Sequence, residues 1–136
     1  MVSGSPASIS QEIVSGTHRL IADEPVSAGG EDLGLSPYEF LLAALGSCTS
    51  MTVGMYARRK DWPLRQITVR LRHSRAYAKD CAECPENDML LDRIERDIRL
   101  DGDLSGEQRM RLIEIANRCP VHRTLTSRID IQTREI

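Results

Sequence analysis

A long helix that is apolar on every side is the feature that most constrains how this chain folds. Ser36 and Glu39 have the spacing of a capping box, and Pro37 stands at the first helical position. The helix is predicted to run to Lys60, because basic residues there stabilise the negative end of the helix dipole. Residues 40–51 are all apolar or small, and a helix of that kind is buried. The sequence therefore predicts a central helix.

A row of small residues follows one face of this helix. Its members are Ala43, Ser47, Ser50 and Gly54. Small side chains allow another backbone to approach closely. We therefore expect a second helix to pack here, from this chain or from another subunit.

Alternating apolar residues predict strands on both sides of the helix. The predicted strands are 9–14, 17–22, 67–74, 90–100 and 127–133. Residues 90–100 also fit helical spacing, and we assign a strand there because residues 101–103, Asp-Gly-Asp, end it and a new helix start follows. The first two form a hairpin, a flexible loop follows over residues 25–35, and a second capping box opens an amphipathic helix at Ser105. Interspersed strands and helices predict the α+β class, and 136 residues suit one domain, residues 1–136.

Charge and hydropathy limit the partners that this chain is expected to have. It carries 18 Lys and Arg against 20 Asp and Glu, a net charge of −2, so no basic field attracts nucleic acid or anionic lipid. The longest apolar run, residues 40–46, is far shorter than the roughly 20 residues of a membrane span, and the first residues do not resemble a signal peptide. We expect a soluble, cytoplasmic protein.

The cysteines are the residues that most directly indicate a chemical function. They are Cys48, Cys81, Cys84 and Cys119. In a cytosolic chain of this size, cysteines indicate catalysis or metal binding rather than a disulfide framework. Cys48 lies within the apolar helix, where a small core residue is the simplest interpretation.

Cys119 has a more reactive setting. Pro120 follows it, so Cys119 is predicted to cap a short new helix. Unpaired backbone N–H groups there, with His122 and Arg123 in the first turn, would lower the pKa of the thiol.

Cys81 and Cys84 form a C-x-x-C pair in the loop between two strands. Such a pair is half of a zinc site, and nothing in the spacing of His18, His73 and His122 supplies the other half. Acidic neighbours would raise the pKa of both thiols, which disfavours a redox role. We predict no metal, although these two cysteines are the candidate ligands.

Two segments resemble the OsmC/Ohr family, whose members include osmotically inducible and organic hydroperoxide resistance proteins. They are residues 36–52, SPYEFLLAALGSCTSMT, and residues 117–125, NRCPVHRTL. The similarity extends over nearly the whole chain and includes residues 18–25, HRLIADEP.

The resemblance implies an intertwined homodimer in which two central helices are enclosed by β-sheets. It also implies a peroxidase that needs no cofactor, in which Cys48 attacks a hydroperoxide and becomes a sulfenic acid. Cys119 then forms a disulfide with it, and an external dithiol reduces that disulfide. The local sequence instead favours Cys119 as the more acidic thiol; we follow the resemblance in assigning the roles.

A thiol buried among apolar residues needs a positive group to activate it. Hydroperoxide reductases of the family have a glutamate ten residues before the attacking cysteine and an arginine from the N-terminal strands. Here Tyr38 occupies the first of these positions, and Glu39, the next residue, also belongs to the capping box. The candidate supporting residues are Arg19, Tyr38, Glu39, Arg118, His122 and Arg123.

Two other functions stay open at this point. The fold could serve as a non-catalytic binding module, for a metal at the C-x-x-C pair or for a small apolar ligand. A thiol–disulfide exchange protein that uses Cys81 and Cys84 is the third alternative.

Overall fold

The computed structural model describes residues 1–77 and 90–135. Its elements are β1 (Val2–Gly4), β2 (Gln11–Ser15), β3 (His18–Ala22), α1 (Pro37–Arg59), β4 (Leu64–Tyr77), β5 (Leu90–Gly102), α2 (Gly106–Ala116) and α3 (Pro120–Leu125), with a 3-10 turn at Val26–Ala28. This mixture of helices and sheets confirms the α+β class. The chain forms two compact units, residues 1–43 and 44–136.

The first unit is built on an antiparallel sheet with the strand order β1-β2-β3. The predicted hairpin is confirmed, because Ser15 pairs with His18 across a turn in which Gly16 has a φ of 59°. Glycine adopts that left-handed conformation without steric cost. Strand β1 was not predicted, since its three residues have no alternating pattern, and it pairs Val2 with Ile13.

Asp23 organises the loop that follows β3. Its side chain is buried and accepts backbone N–H groups of Glu24 at 2.9 Å, Glu31 at 3.0 Å and Leu33 at 3.2 Å. Burial alone raises the pKa of Asp23, but the three donors outweigh it and the pKa lies below its usual value. The loop predicted to be flexible is therefore tied at one end.

Helix α1 begins as predicted. The Ser36 N–H donates to the Glu39 carboxylate at 2.8 Å, and the Glu39 N–H donates to the Ser36 hydroxyl at 3.4 Å. These reciprocal bonds satisfy two of the N–H groups that a helix leaves without internal partners.

The prediction that α1 is buried on every side is wrong for the single chain. Its buried residues are Leu45, Thr49, Val53 and Ala57, which lie on one stripe at four-residue spacing. On another face Met51 is 66% exposed and Met55 is 63% exposed. Among the described residues, the other elements cover one face of the helix and leave an apolar face exposed.

Helix α1 also meets a length and composition test for membrane spans. It has 23 residues, and an 18-residue window of it has a mean hydropathy of 1.4. Core helices of soluble proteins pass the same test, so this result is weak evidence for a membrane span.

The second unit packs α2 against the antiparallel pair β4-β5 and the later part of α1. Both predicted strands are confirmed and are longer than expected, and the second capping box forms between Ser105 and Gln108. The buried core consists of Val53, Ala57, Leu100, Leu104, Leu112 and Ala116.

The predicted closing strand at residues 127–133 is wrong. No strand in the part of the chain that the structure describes pairs with this segment, and Ile129 and Ile131 are 53% and 83% exposed. A strand forms only where a neighbour accepts its backbone hydrogen bonds, so the alternating pattern alone does not produce one.

We predict that Leu112→Ala lowers the free energy of unfolding by about 2–5 kcal/mol, because the side chain is fully buried and its removal leaves a cavity. Urea denaturation followed by circular dichroism, at one protein concentration, measures this. Met110→Ala is the matched control on the same helix, 64% exposed, with an expected change of at most about 0.5 kcal/mol. Equal losses in the two variants would contradict the assigned core.

Candidate active site

Cys119 caps the short helix α3, as the sequence predicts. Its backbone is extended, Pro120 follows at the first helical position, and the His122 N–H donates to the Cys119 sulfur at 3.3 Å. The Cys119 side chain is fully buried. The thiol therefore lies at a helix N-terminus, with one backbone donor aimed at it.

Helix α1 brings two side chains to this sulfur. The Thr49 hydroxyl oxygen lies 3.7 Å from the Cys119 sulfur, and the neighbouring side chain of Cys48 interacts with the same sulfur and lowers the pKa of the thiol. Both cysteines are free thiols, Cys48 half-buried and Cys119 buried. The structure thus brings together the two cysteines that the sequence analysis singled out.

Strand β5 adds a guanidinium group that sequence reasoning missed. Arg96 donates to the Thr49 hydroxyl at 2.8 Å and to the Asn117 side-chain oxygen at 2.7 Å, and more weakly to the Ala116 carbonyl at 3.4 Å. A signal was available in the strand pattern, because Arg96 lies on the same face of β5 as Ile94 and Ile98. An arginine at an inward position of a strand is expected to have a polar partner inside the protein.

These neighbours change the acidity of Cys119. Burial raises the pKa of the thiol, since it disfavours the charged form. The opposing effects are hydrogen bonds from the His122 N–H, from Thr49 and from Cys48, and the positive charge of Arg96. Together they outweigh burial, so the pKa of Cys119 lies below 9.0.

The imidazole of His122 is uncharged at neutral pH. Burial and the positive charge of Arg96 both lower the pKa of His122 from 6.5. His122 therefore contributes its backbone N–H to the Cys119 sulfur rather than a positive charge.

Three predicted supporting residues lie in the first unit. Glu39 caps α1: the Ser36 N–H and then the Ser36 hydroxyl, which donates at 2.9 Å, lower its pKa against an opposing effect of burial. Arg19 forms an exposed ion pair with Glu12 at 2.7 Å. Tyr38, in the first turn of α1, is 48% exposed.

The remaining candidates lie near Cys119 in the chain or outside the described residues. Arg118 and Arg123 flank Cys119 in sequence and are exposed. Cys81 and Cys84 lie outside the described residues. Within residues 1–77 and 90–135, no three His, Cys, Asp or Glu side chains are grouped so that they could hold a metal ion.

Comparison with known proteins identifies the family of this chain. The model of the family described as OsmC-like protein matches residues 29–134. The match covers most of the chain, and the protein therefore belongs to the OsmC-like family. No curated protein shows significant sequence similarity.

Solved structures share the fold at low sequence identity. An OsmC-like protein of Mycoplasma pneumoniae has a TM-score of 0.71 at 20% identity over 92% of this chain and 84% of that one. The organic hydroperoxide resistance protein OsmC of Legionella pneumophila has a TM-score of 0.66 at 19% identity, over 93% of this chain and 86% of that one. The organic hydroperoxide resistance protein OhrB of Bacillus subtilis has a TM-score of 0.64 at 16% identity, over 96% of this chain and 90% of that one.

The lowered pKa of Cys119 predicts a pH dependence of stability. The folded thiol ionises at a pH where the unfolded thiol, with a pKa near 9.0, still holds its proton. The thiolate therefore stabilises the fold fully above the unfolded pKa, and the contribution is lost as the pH falls through the folded pKa.

We expect the free energy of unfolding of the parent protein, relative to Cys119→Ser, to grow as the pH rises towards 9.0. Urea denaturation over a pH series measures the difference. The variant Cys81→Ser/Cys84→Ser keeps Cys119 and should keep the same rise. A constant difference across the pH series would show that folding does not lower the pKa of Cys119.

Proposed function

We propose that this protein is a homodimeric thiol peroxidase of the cytoplasm that reduces organic hydroperoxides, with Cys48 attacking and Cys119 resolving. The observation that carries the proposal is the interaction between the side chain of Cys48 and the buried sulfur of Cys119. The names of the Legionella and Bacillus neighbours support organic hydroperoxides as the substrate class.

Exposure supports Cys48 as the attacking residue. Cys48 is half-buried, whereas Cys119 has no exposed surface, so a peroxide in solution reaches Cys48 first. The Cys48 thiolate attacks one peroxide oxygen and the O–O bond breaks. Cys48 becomes a sulfenic acid, and the other oxygen leaves as an alkoxide that takes a proton and becomes an alcohol.

The acidity of Cys119 supports its role as the resolving residue. Its thiolate attacks the sulfenic sulfur of Cys48, the S–O bond breaks, and hydroxide leaves as water after protonation. This step requires an ionised thiol beside Cys48, and the lowered pKa of Cys119 increases the ionised fraction of that thiol. An external dithiol then supplies two electrons and restores both thiols.

The surroundings of Cys48 favour an apolar substrate. Met51 and Met55 follow Cys48 by one and two turns of α1, on the exposed side of the helix. Apolar side chains at this place accommodate an alkyl chain better than a hydrated molecule, so hydrogen peroxide is the second candidate substrate.

The bare face of α1 supports a homodimer. Met51 and Met55 are largely exposed in the single chain, and the small residues Ala43 and Ser47 lie beside them on the exposed surface of the helix. An apolar face with small residues suits close packing against a second copy of the same helix.

We predict that Cys48→Ser abolishes peroxide consumption, because serine cannot form a sulfenic acid. The assay is cumene hydroperoxide reduction with dithiothreitol as the reductant. Cys119→Ser should accumulate a Cys48 sulfenic acid that dimedone traps, seen as a mass increase on the peptide that contains Cys48.

The double variant Cys81→Ser/Cys84→Ser is the control for this assay and should consume peroxide at the parent rate. Unchanged turnover in Cys48→Ser would rule out the assigned attacking residue. Stoichiometric zinc that survives dialysis, together with no peroxide turnover, would favour the non-catalytic binding module instead.

We predict that Met51→Glu converts the dimer into a monomer, because it places a charge on each side of an apolar helix contact. Sedimentation velocity measures the oligomeric state. Met110→Glu is the matched control, since Met110 is 64% exposed on α2 and outside the proposed contact. A dimer that persists in Met51→Glu would rule out this interface.

A further inference from the structure

We propose that Arg96 is a positioning residue: it acts through Thr49 to stabilise the thiolate form of Cys119, and that thiolate accepts the proton of the Cys48 thiol when peroxide arrives. The inference rests on the proposed function of the cysteine pair. It assigns Cys119 as the base of the first step, within the second unit.

The charge of Arg96 has no carboxylate partner in the part of the chain that the structure describes. Its hydrogen bonds go to a hydroxyl, a carbonyl and a side-chain amide, none of which is negative. Other arginines of the same strand pair differ, since Arg72 lies 3.0 Å from Asp97 and Arg99 lies 3.2 Å from Asp101. A half-buried cation with neutral partners favours an anion nearby, and the Cys119 sulfur is the ionisable group beside it.

Thr49 links the guanidinium to the sulfur. Arg96 donates to the Thr49 oxygen at 2.8 Å, and that oxygen lies 3.7 Å from the Cys119 sulfur, so the Thr49 hydroxyl can donate to a thiolate there. Thr49 is fully buried on a stripe of α1 that is otherwise apolar. A hydroxyl is well placed there to pass polarisation from the cation to the thiolate.

The groups that face Cys119 come from three elements. Strand β5 contributes Arg96, helix α1 contributes Thr49 and Cys48, and helix α3 contributes the His122 N–H. The His122 ring is neutral at neutral pH because of its lowered pKa. Among the described groups that face Cys119, Arg96 is therefore the one positive side chain.

The proton transfer balances. The Cys48 side chain interacts with the Cys119 sulfur, and in the proposed step the proton passes from the first sulfur to the second as Cys48 attacks the peroxide oxygen. The O–O bond breaks, and the departing alkoxide takes the proton from Cys119 and becomes an alcohol. Cys119 is a thiolate again, ready to attack the sulfenic acid.

The test is a titration of Cys119 without peroxide. In a Cys48→Ser/Cys81→Ser/Cys84→Ser background, Cys119 is the only thiol, and its ultraviolet thiolate absorbance is followed against pH. We expect Arg96→Met to move the midpoint to higher pH and to lower the thiolate fraction at neutral pH several-fold. Arg96→Lys keeps a positive charge and should restore part of the thiolate fraction that Arg96→Met loses.

Arg99→Met is the matched control, because Arg99 lies on the same strand and pairs with Asp101 at the surface. Its midpoint should equal that of the parent. An Arg96→Met midpoint equal to the parent's would overturn the inference. Circular dichroism checks folding, and if Arg96→Met does not fold, Thr49→Val keeps Arg96 but breaks the link and should also raise the midpoint.

The peroxide reaction provides the second readout. With both cysteines present, the rate of Cys48 oxidation should fall in Arg96→Met and regain the parent rate at higher pH, as expected when a base must first ionise. A rate that falls equally at every pH would overturn the base role. A shifted titration in a protein that consumes no peroxide would instead overturn the peroxidase assignment, with the pairing of Arg96 and Cys119 intact.

Discussion

The hydrogen bonds of Arg96 hold the second unit together beside the pair of cysteines Cys48 and Cys119. One guanidinium group contacts Thr49 of α1 and Asn117 at the end of α2, so β5 and two helices share a single fixed point. Cys119 lies next to that point, because the chain turns from α2 into α3 there. The position of the reactive sulfur is thus set by a polar contact within an apolar core, where a guanidinium with several donors gives more geometric definition than packing alone.

Local signals predicted much of this fold. The capping boxes at Ser36 and Ser105 fixed the starts of α1 and α2, because each uses side chains within one turn of the helix. The cap at Cys119 was predictable for the same reason, since proline at the next position restricts the backbone there. The hairpin and the two long strands followed from alternation with a period of two.

Contacts between residues distant in the sequence were harder to predict. Arg96 reaches Thr49 across 47 positions, and nothing local distinguishes it from the other arginines of the same strand except its inward register. Residues 127–133 alternate like a strand, but alternation shows only that a strand could have two different faces and does not supply a neighbour for it. The exposed apolar side of α1 has the same origin: its composition indicates burial, but composition does not show which surface would bury it.

The cap on α3 links the chemical state of the Cys119 sulfur to the order of this short helix. The Cys119 sulfur accepts the His122 N–H at the first turn of a helix only six residues long. A helix this short has little stability of its own and depends on its terminal contacts. In the proposed disulfide with Cys48 the sulfur would carry no negative charge and would be a poorer acceptor, so the first turn of α3 would loosen. Oxidation would then uncover the sulfur that the fold otherwise buries, at the moment when a reductant has to reach it.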